Sequence, residues 1–240
     1  MGYGRRHAEI YDAVFTGRGK DWEGDARQVA GLVRERRRGA RSLLDVACGT
    51  GAHLERFGAL FDDVAGVELA EAMREIAVRR LPGVPVHAGD MRDFDLGRTF
   101  DAVACLSSSI GYLATVGDLH AAIGRMAGHL NPGGVLVIEP WWFPERFIDG
   151  YVGGHLIRDR DRDRVISRVT HSTRRERAVH IDVRFVVAEP GRGIVAFGEE
   201  EIVTLFARDE YEGAFRSAGC TVELLPGGPF GRGLFVGTRR

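Results

Sequence analysis

Two glycines one residue apart, Gly49 and Gly51, follow the run Leu43-Leu44-Asp45-Val46-Ala47-Cys48. An apolar strand that runs straight into a glycine turn and then a helix is the corner with which a doubly wound α/β sheet cradles a nucleotide. Both glycines tolerate backbone that a Cβ would hinder, which leaves room for a ligand against the main chain. Glu68 ends the next apolar run, Val64-Ala65-Gly66-Val67, where a carboxylate accepts hydrogen bonds from ribose hydroxyls. Asp90 and Met91 follow Val86-His87-Ala88-Gly89. An acid there suits an adenine amino group, and a thioether packs on a ring face. The three strand ends meet on the carboxyl edge of one sheet, where ligands bind in open α/β folds.

The type of nucleotide follows from what is missing. A dinucleotide fingerprint needs a third glycine where Leu54 stands, and no G-x-x-x-x-G-K-[ST] phosphate loop occurs. The spacing of Asp45, Gly49 and Gly51 resembles the D-x-x-x-G-x-G motif of class I methyltransferases, which bind S-adenosylmethionine, a cofactor without a pyrophosphate. A structural glycine turn in another α/β domain is the alternative for the loop taken alone. The order and spacing of Glu68 and Asp90 weigh against it.

The elements that must position these residues are legible from periodicity. Residues 5–38 read as mostly helical, broken at Thr16-Gly17-Arg18-Gly19. Strands are expected near 42–47, 63–67, 84–87, 100–106 and 134–139, with helices near 52–60, 70–80 and 116–130. After Pro140 the pattern alternates over 165–172, 180–188 and 194–206, which predicts an inserted antiparallel β-sheet. A helix near 208–218 and strands near 220–225 and 233–238 close the chain. The expected fold is therefore α/β, a doubly wound Rossmann-like sheet with an antiparallel insertion. The expected parts are 1–140 (N-terminal helices and cofactor-binding core), 141–206 (inserted sheet over the substrate site) and 207–240 (completion of the core). Arg158-Asp159-Arg160-Asp161-Arg162-Asp163-Arg164 alternates in sign and reads as a solvated hairpin or loop without function.

Composition bounds the partners. The 240 residues are 44% hydrophobic and 28% charged with net charge −1, so no basic field draws the chain to nucleic acid. Lys20 is the sole lysine among many arginines, which reads as base-composition bias. Cys48, Cys105 and Cys220 match no zinc or disulfide spacing and read as buried reduced thiols. No apolar run reaches the ~18 residues of a membrane span, and the first seven residues lack the apolar core of a signal peptide. These features give a cytoplasmic expectation, with no membrane partner.

The resemblance extends beyond the general cofactor motif. Ile10-Tyr11-Asp12, Gly17-Arg18-Gly19-Lys20-Asp21, Gly89-Asp90-Met91-Arg92-Asp93-Phe94, Glu139-Pro140-Trp141-Trp142-Phe143-Pro144-Glu145, Gly227-Gly228-Pro229 and Gly231-Arg232-Gly233-Leu234-Phe235 resemble the N,N-dimethyltransferases of TDP-linked amino sugars in macrolide biosynthesis. The resemblance covers nearly the whole chain and implies S-adenosylmethionine as cofactor, with no metal. It implies that Ala47, Gly49 and Gly51 face the methionine half, that Glu68 holds the ribose, and that Asp90 and Met91 receive the adenine. It places Tyr3 and Tyr11 near the cofactor and reaction centre, and Arg18 against the cofactor carboxylate.

Tyr112, in Ser107-Ser108-Ser109-Ile110-Gly111-Tyr112-Leu113, stands where some relatives carry histidine. Tyrosine titrates near ~10 and is a poor base at neutral pH. Tyr112 is therefore expected to orient the amine by hydrogen bonding, and no dedicated general base is expected. The sulfonium is already a good leaving group, so the protein's task is to hold nitrogen and methyl carbon about 3–3.5 Å apart and in line. Arg232 is the candidate for the TDP diphosphate, since guanidinium pairs bidentately with phosphate oxygens. Ser172 is a second candidate from the inserted sheet. Trp141 and Trp142 are candidates for a wall against sugar or thymine. Adjacent residues in a strand point oppositely, so at most one is expected to do so and the other to be core. The general motifs leave open an O- or C-methyltransferase, or a catalytically silent fold. The exposed edges of the added sheet offer a route to a homodimer.

Overall fold

The computed structural model of the chain describes residues 4–240. Tyr3, one of the expected site residues, lies outside the described residues. Helices α1 (Arg5–Gly17) and α2 (Trp22–Arg36) lead into β1 (Ser42–Val46), α3 (Ala52–Gly58), β2 (Asp63–Glu68), α4 (Glu71–Arg80), β3 (Val86–Ala88), β4 (Phe100–Cys105), α5 (Val116–Gly128) and β5 (Leu130–Ile138). After the second sheet come α6 (Arg208–Ser217), β10 (Glu223–Leu225) and β11 (Leu234–Thr238). The main sheet has seven strands in the order β10-β11-β5-β4-β1-β2-β3. Strands β3, β2, β1, β4 and β5 run parallel, and β11 is antiparallel to its neighbours β5 and β10.

Burial explains the centre of this sheet. Every residue of β4 is buried, as are Leu43 through Val46 of β1, as expected for strands covered on both faces. The helices carry local signals for their own ends. Asp21 caps α2 by accepting from the Gly24 N–H at 2.9 Å. Thr115 and Asp118 form a reciprocal capping box at the start of α5. Leu54 occupies the place of the third glycine of a dinucleotide fingerprint. The close approach has moved to the next strand: a Cβ on Gly66 would lie 2.8 Å from both Leu54 Cδ2 and Cys48 Sγ.

The second sheet is antiparallel, in the order β6 (Tyr151–Asp159), β7 (Arg164–Arg175), β8 (Ala178–Glu189) and β9 (Gly193–Thr204). Strand β6 lies outside the expected strands. The structure shows the reason for Gly153: a Cβ there would sit 3.0 Å from Thr170 Oγ1 and 3.1 Å from the Tyr151 ring. The alternating Arg/Asp run does form the β6–β7 hairpin, but it is not wholly solvated. Arg164 is buried, donating to Asp159 Oδ2 at 2.7 Å and to the Glu9 carbonyl at 3.1 Å, so it fastens the hairpin to α1. All three cysteines are free and buried.

Helix α1 is the joint between the two sheets. Ile10 and Val14 pack with Ile157, Ile166, Val183 and Phe185 of the second sheet. Ala8 and Tyr11 pack with Ala70 and Met73 of the core. At its end, a Cβ on Gly17 would lie 2.5 Å from Ile157, so only glycine admits this contact.

Candidate active site

The glycine corner is built from left-handed residues. Ala47, Gly49 and Gly51 have φ of 58°, 58° and 79°. A Cβ on Gly51 would press on Ala77 and Leu81 at 3.2 Å, whereas one on Gly49 would meet no protein atom within 4 Å. Gly51 is therefore glycine for packing, while the space above Gly49 is free for a ligand. Glu68 fixes the corner from β2. Its carboxylate accepts from the Gly49 N–H at 2.8 Å and the Ala70 N–H at 2.7 Å. Burial raises its pKa, opposed by those backbone hydrogen bonds.

Asp45 lies beneath the corner, 2% exposed, with its Oδ2 buried and without a hydrogen-bond partner among the described residues. Burial, with repulsion from Glu68, pushes its pKa up to about 8. After β3, Asp90 is engaged by Arg92, whose Nη2 and Nε donate at 2.6 and 3.0 Å. Met91 is half-buried and packs against the core beside it.

The N-terminal helices close the mouth. Thr50 Oγ1 donates to Asp12 Oδ1 at 2.5 Å, and Arg80 bridges Asp12 and the Thr50 carbonyl, which pins α1 to the glycine corner. Tyr11 is buried beside Phe15, with ring centroids 4.4 Å apart, and burial raises its pKa. The charges of Glu68 and of Glu201, on β9, both act on it. Tyr11 thus stands between the main-sheet core and the second sheet.

Lys20, the sole lysine, has a defined structural place. Its Nζ is buried, 2.8 Å from Asp25 Oδ2 and 3.8 Å from Glu139 Oε2. Glu139, at the end of β5, is fully buried and also accepts from the Ser107 N–H at 2.7 Å and from Arg232 Nη2 at 3.1 Å. Arg232 donates in addition to Ser108 Oγ at 2.8 Å, and its guanidinium lies over the rings of Phe230 and Trp142 at 5.2 and 5.5 Å.

A cavity of about 520 Å³ opens beside this network, between α1, the turn after β4 and the inner face of the second sheet. Arg18, Arg146, Arg168 and Arg232 line it, as do Ser172 and Tyr112. Burial lowers the Arg18 pKa, and its Nε, like Arg232 Nε, is buried with no hydrogen-bond partner among the described residues. Trp141 and Trp142 both border the cavity. The expectation that only one would do so fails because residues 141–142 are not in a strand, so strand alternation does not govern them.

Sequence reasoning missed Lys20, Glu139, His7 and Glu201. Lys20 was signalled by its singularity, and Glu139 by the block it opens. His7 and Glu201 carried no signal beyond the sequence itself. His7 Nδ1 lies 2.6 Å from Glu199, and its side chain lines the cavity.

A glycine corner, an acid on the next strand and a helical cap over a seven-stranded sheet with one reversed strand define a class I methyltransferase. Residues 43–134 match the methyltransferase domain family. The chain is 56% identical over 237 residues to the dTDP-4-amino-2,3,4,6-tetradeoxy-D-glucose N,N-dimethyltransferase of Saccharopolyspora spinosa, covering 99% of this chain and 94% of that one. It is 54% identical over 231 residues to the dTDP-3-amino-3,4,6-trideoxy-alpha-D-glucopyranose N,N-dimethyltransferase of Streptomyces venezuelae, covering 96% and 97%. Among solved structures it is similar to Streptomyces venezuelae DesVI, with TM-score 0.94, 52% identity and coverage of 99% and 100%. It is also similar to SAM-bound CalS10, an amino pentose methyltransferase from Micromonospora echinaspora involved in calicheamicin biosynthesis, with TM-score 0.89, 52% identity and coverage of 96% and 97%. The chain belongs to the N,N-dimethyltransferases of dTDP-linked amino sugars.

Proposed function

We propose that this chain methylates, twice, the amino nitrogen of a dTDP-linked deoxyamino sugar, with S-adenosylmethionine as donor, in the making of an antibiotic. The observation that carries this reading is the arginine-lined cavity of about 520 Å³ at the turn after β4, the strand that pairs with β1. Four guanidinium groups suit a nucleoside diphosphate. The residues fit the cofactor too, with open space over Gly49 and an unpartnered carboxylate oxygen on buried Asp45.

When bound, the cofactor supplies a methyl carbon on a cationic sulfur; the amine forms the new bond to carbon, the carbon–sulfur pair stays on sulfur, and the extra proton on nitrogen leaves to water. Ala47, Gly49 and Gly51 border the methionine half, Glu68 takes the ribose, and Asp90 with Met91 takes the adenine. Tyr11 and Arg18 cover the cofactor from α1 and its C-terminal end. Arg232 and Ser172 hold the diphosphate side, and Trp141 and Trp142 flank sugar or base. Tyr3 is assigned to the reaction centre with Tyr112 by resemblance. Tyr112 orients the amine, and no side chain serves as a dedicated base.

Incubation with S-adenosylmethionine and dTDP-amino sugars tests the reading by mass gain in steps of one methyl. No gain with 3-amino or 4-amino substrates overturns it. The reading includes a cytoplasmic setting, which suits three reduced cysteines. No helix among the described residues is long and apolar enough to cross a membrane. It also includes a homodimer through the second sheet, whose free edges are β6 and β9. Light scattering that gives a monomer mass overturns the dimer.

A further inference from the structure

Three glutamates stand in a row on β9, Glu199, Glu200 and Glu201, and strand alternation sends the first and third to one face. Two of them have local partners. Glu199 accepts from the Gly4 N–H at 3.1 Å and pairs with His7, while Glu200 pairs with His180 at 2.8 Å. Glu201 instead enters the cavity, where it is the single carboxylate among the lining residues. Its Oε2 accepts from the Tyr112 hydroxyl at 3.1 Å. Among the described residues, no lysine, arginine or histidine forms an ion pair with it.

The cavity therefore carries charge of both signs, and the Glu201 charge acts on Arg18 within it. Arginines 18, 146, 168 and 232 supply positive charge, and Glu201 supplies a negative one. The cross-strand register sets part of this geometry. Tyr151, Ser172, Ile181 and Glu201 form one row across β6, β7, β8 and β9. At roughly 4.8 Å per strand, Ser172 and Glu201 stand about 10 Å apart across the sheet. An amino-sugar nucleotide also carries both signs, with an anionic diphosphate at one end and a basic amine at the other.

We propose that Glu201 is the residue that selects the amino group of the substrate, with Tyr112 fixing one oxygen of its carboxylate while the other receives the substrate N–H. This assignment rests on the dTDP-amino-sugar reading and extends it to the feature that separates an amino sugar from its hydroxyl counterpart. The nitrogen stays a hydrogen-bond donor after the first methyl transfer, so the same contact retains the monomethyl product for the second.

The test is binding without cofactor, read by quenching of tryptophan fluorescence, for a dTDP-amino sugar and for the dTDP-sugar bearing hydroxyl at the same carbon. The wild type is expected to prefer the amino sugar by about tenfold, the scale of one charge-assisted hydrogen bond. Glu201→Gln is nearly isosteric and is expected to remove that preference by moving the two affinities in opposite directions. Binding of the amino sugar weakens. Binding of the hydroxyl sugar holds or tightens, because a negative charge has left an arginine-lined cavity. Glu201→Asp, which keeps the charge, is expected to retain part of the preference. In turnover, Glu201→Gln is expected to release a larger share of monomethyl product. Equal loss of affinity for both sugars, or an unchanged preference, overturns the assignment. If the wild type binds neither sugar, the substrate reading itself fails.

Discussion

Arg232 Nη2 lies 3.1 Å from Glu139 Oε1, and that carboxylate is wholly buried. Arg232 is thus anchored from behind while it faces the cavity, and its two tasks separate experimentally. Arg232→Ala strands a buried carboxylate, with Lys20 at 3.8 Å as its remaining cation. The expected loss of stability in urea is about 3 kcal/mol. A rise of about tenfold in KM for the sugar nucleotide is expected as well. The double variant Arg232→Ala/Glu139→Gln is expected to regain part of the stability and none of the KM. An unchanged KM in the single variant makes Arg232 purely structural.

The glycine corner and the strand ends beside it were legible because they are local. Asp45, Gly49 and Gly51 sit within one strand-turn unit, and Glu68 and Asp90 end the next two strands, so order along the chain is order along the sheet edge. The network of Lys20, Glu139 and Arg232 was not legible, because it joins residues more than 90 positions apart whose meeting depends on packing. Strand β6 was not legible because only Gly153 and Ile157 within it are buried, so it lacks period-two alternation. Tyr112 lies in the turn after β4 and Glu201 on β9 of the second sheet, and no periodicity reports a contact between them.

Gly49 and Gly51 differ in what a methyl group would meet, and this yields opposite phenotypes. Gly51→Ala must hold φ near 79° and crowd Ala77 and Leu81 at 3.2 Å, so a loss of about 2 kcal/mol in folding stability is expected. Gly49→Ala has the φ cost alone, about 1 kcal/mol, and projects into open space. Its larger effect is expected on adenosylhomocysteine affinity, weakened about tenfold or more in calorimetry. Equal stability losses with unchanged affinity would place the cofactor elsewhere.

Tyr112 tests whether a base is needed. A dedicated general base contributes about 10²–10⁴ in rate. Tyr112→Phe removes the hydroxyl that donates to Glu201 and is expected to lower kcat by about tenfold or less, the cost of looser orientation. A fall of four or more decades in single-turnover rate would falsify the view that water removes the proton.

Asp45 makes stability depend on pH in an unusual direction. Its pKa in the folded chain is pushed up to about 8 by burial and by Glu68, against about 4 in an unfolded chain. Between those values the folded state holds a proton that the unfolded state has lost. This contribution to stability is fully present below about pH 4 and falls as pH rises towards about 8. Relative to Asp45→Asn, the wild type is expected to lose about 1.4 kcal/mol per pH unit across that window, measured by urea unfolding at several pH values. A cationic group of the bound cofactor near the carboxylate favours its ionised form. Binding of adenosylhomocysteine at pH 7 is therefore expected to release a proton, seen as a calorimetric enthalpy that changes with the ionisation heat of the buffer. The same titration with the Asn variant is expected to lose that dependence. Identical buffer dependence in both proteins would show that Asp45 is not the group that titrates.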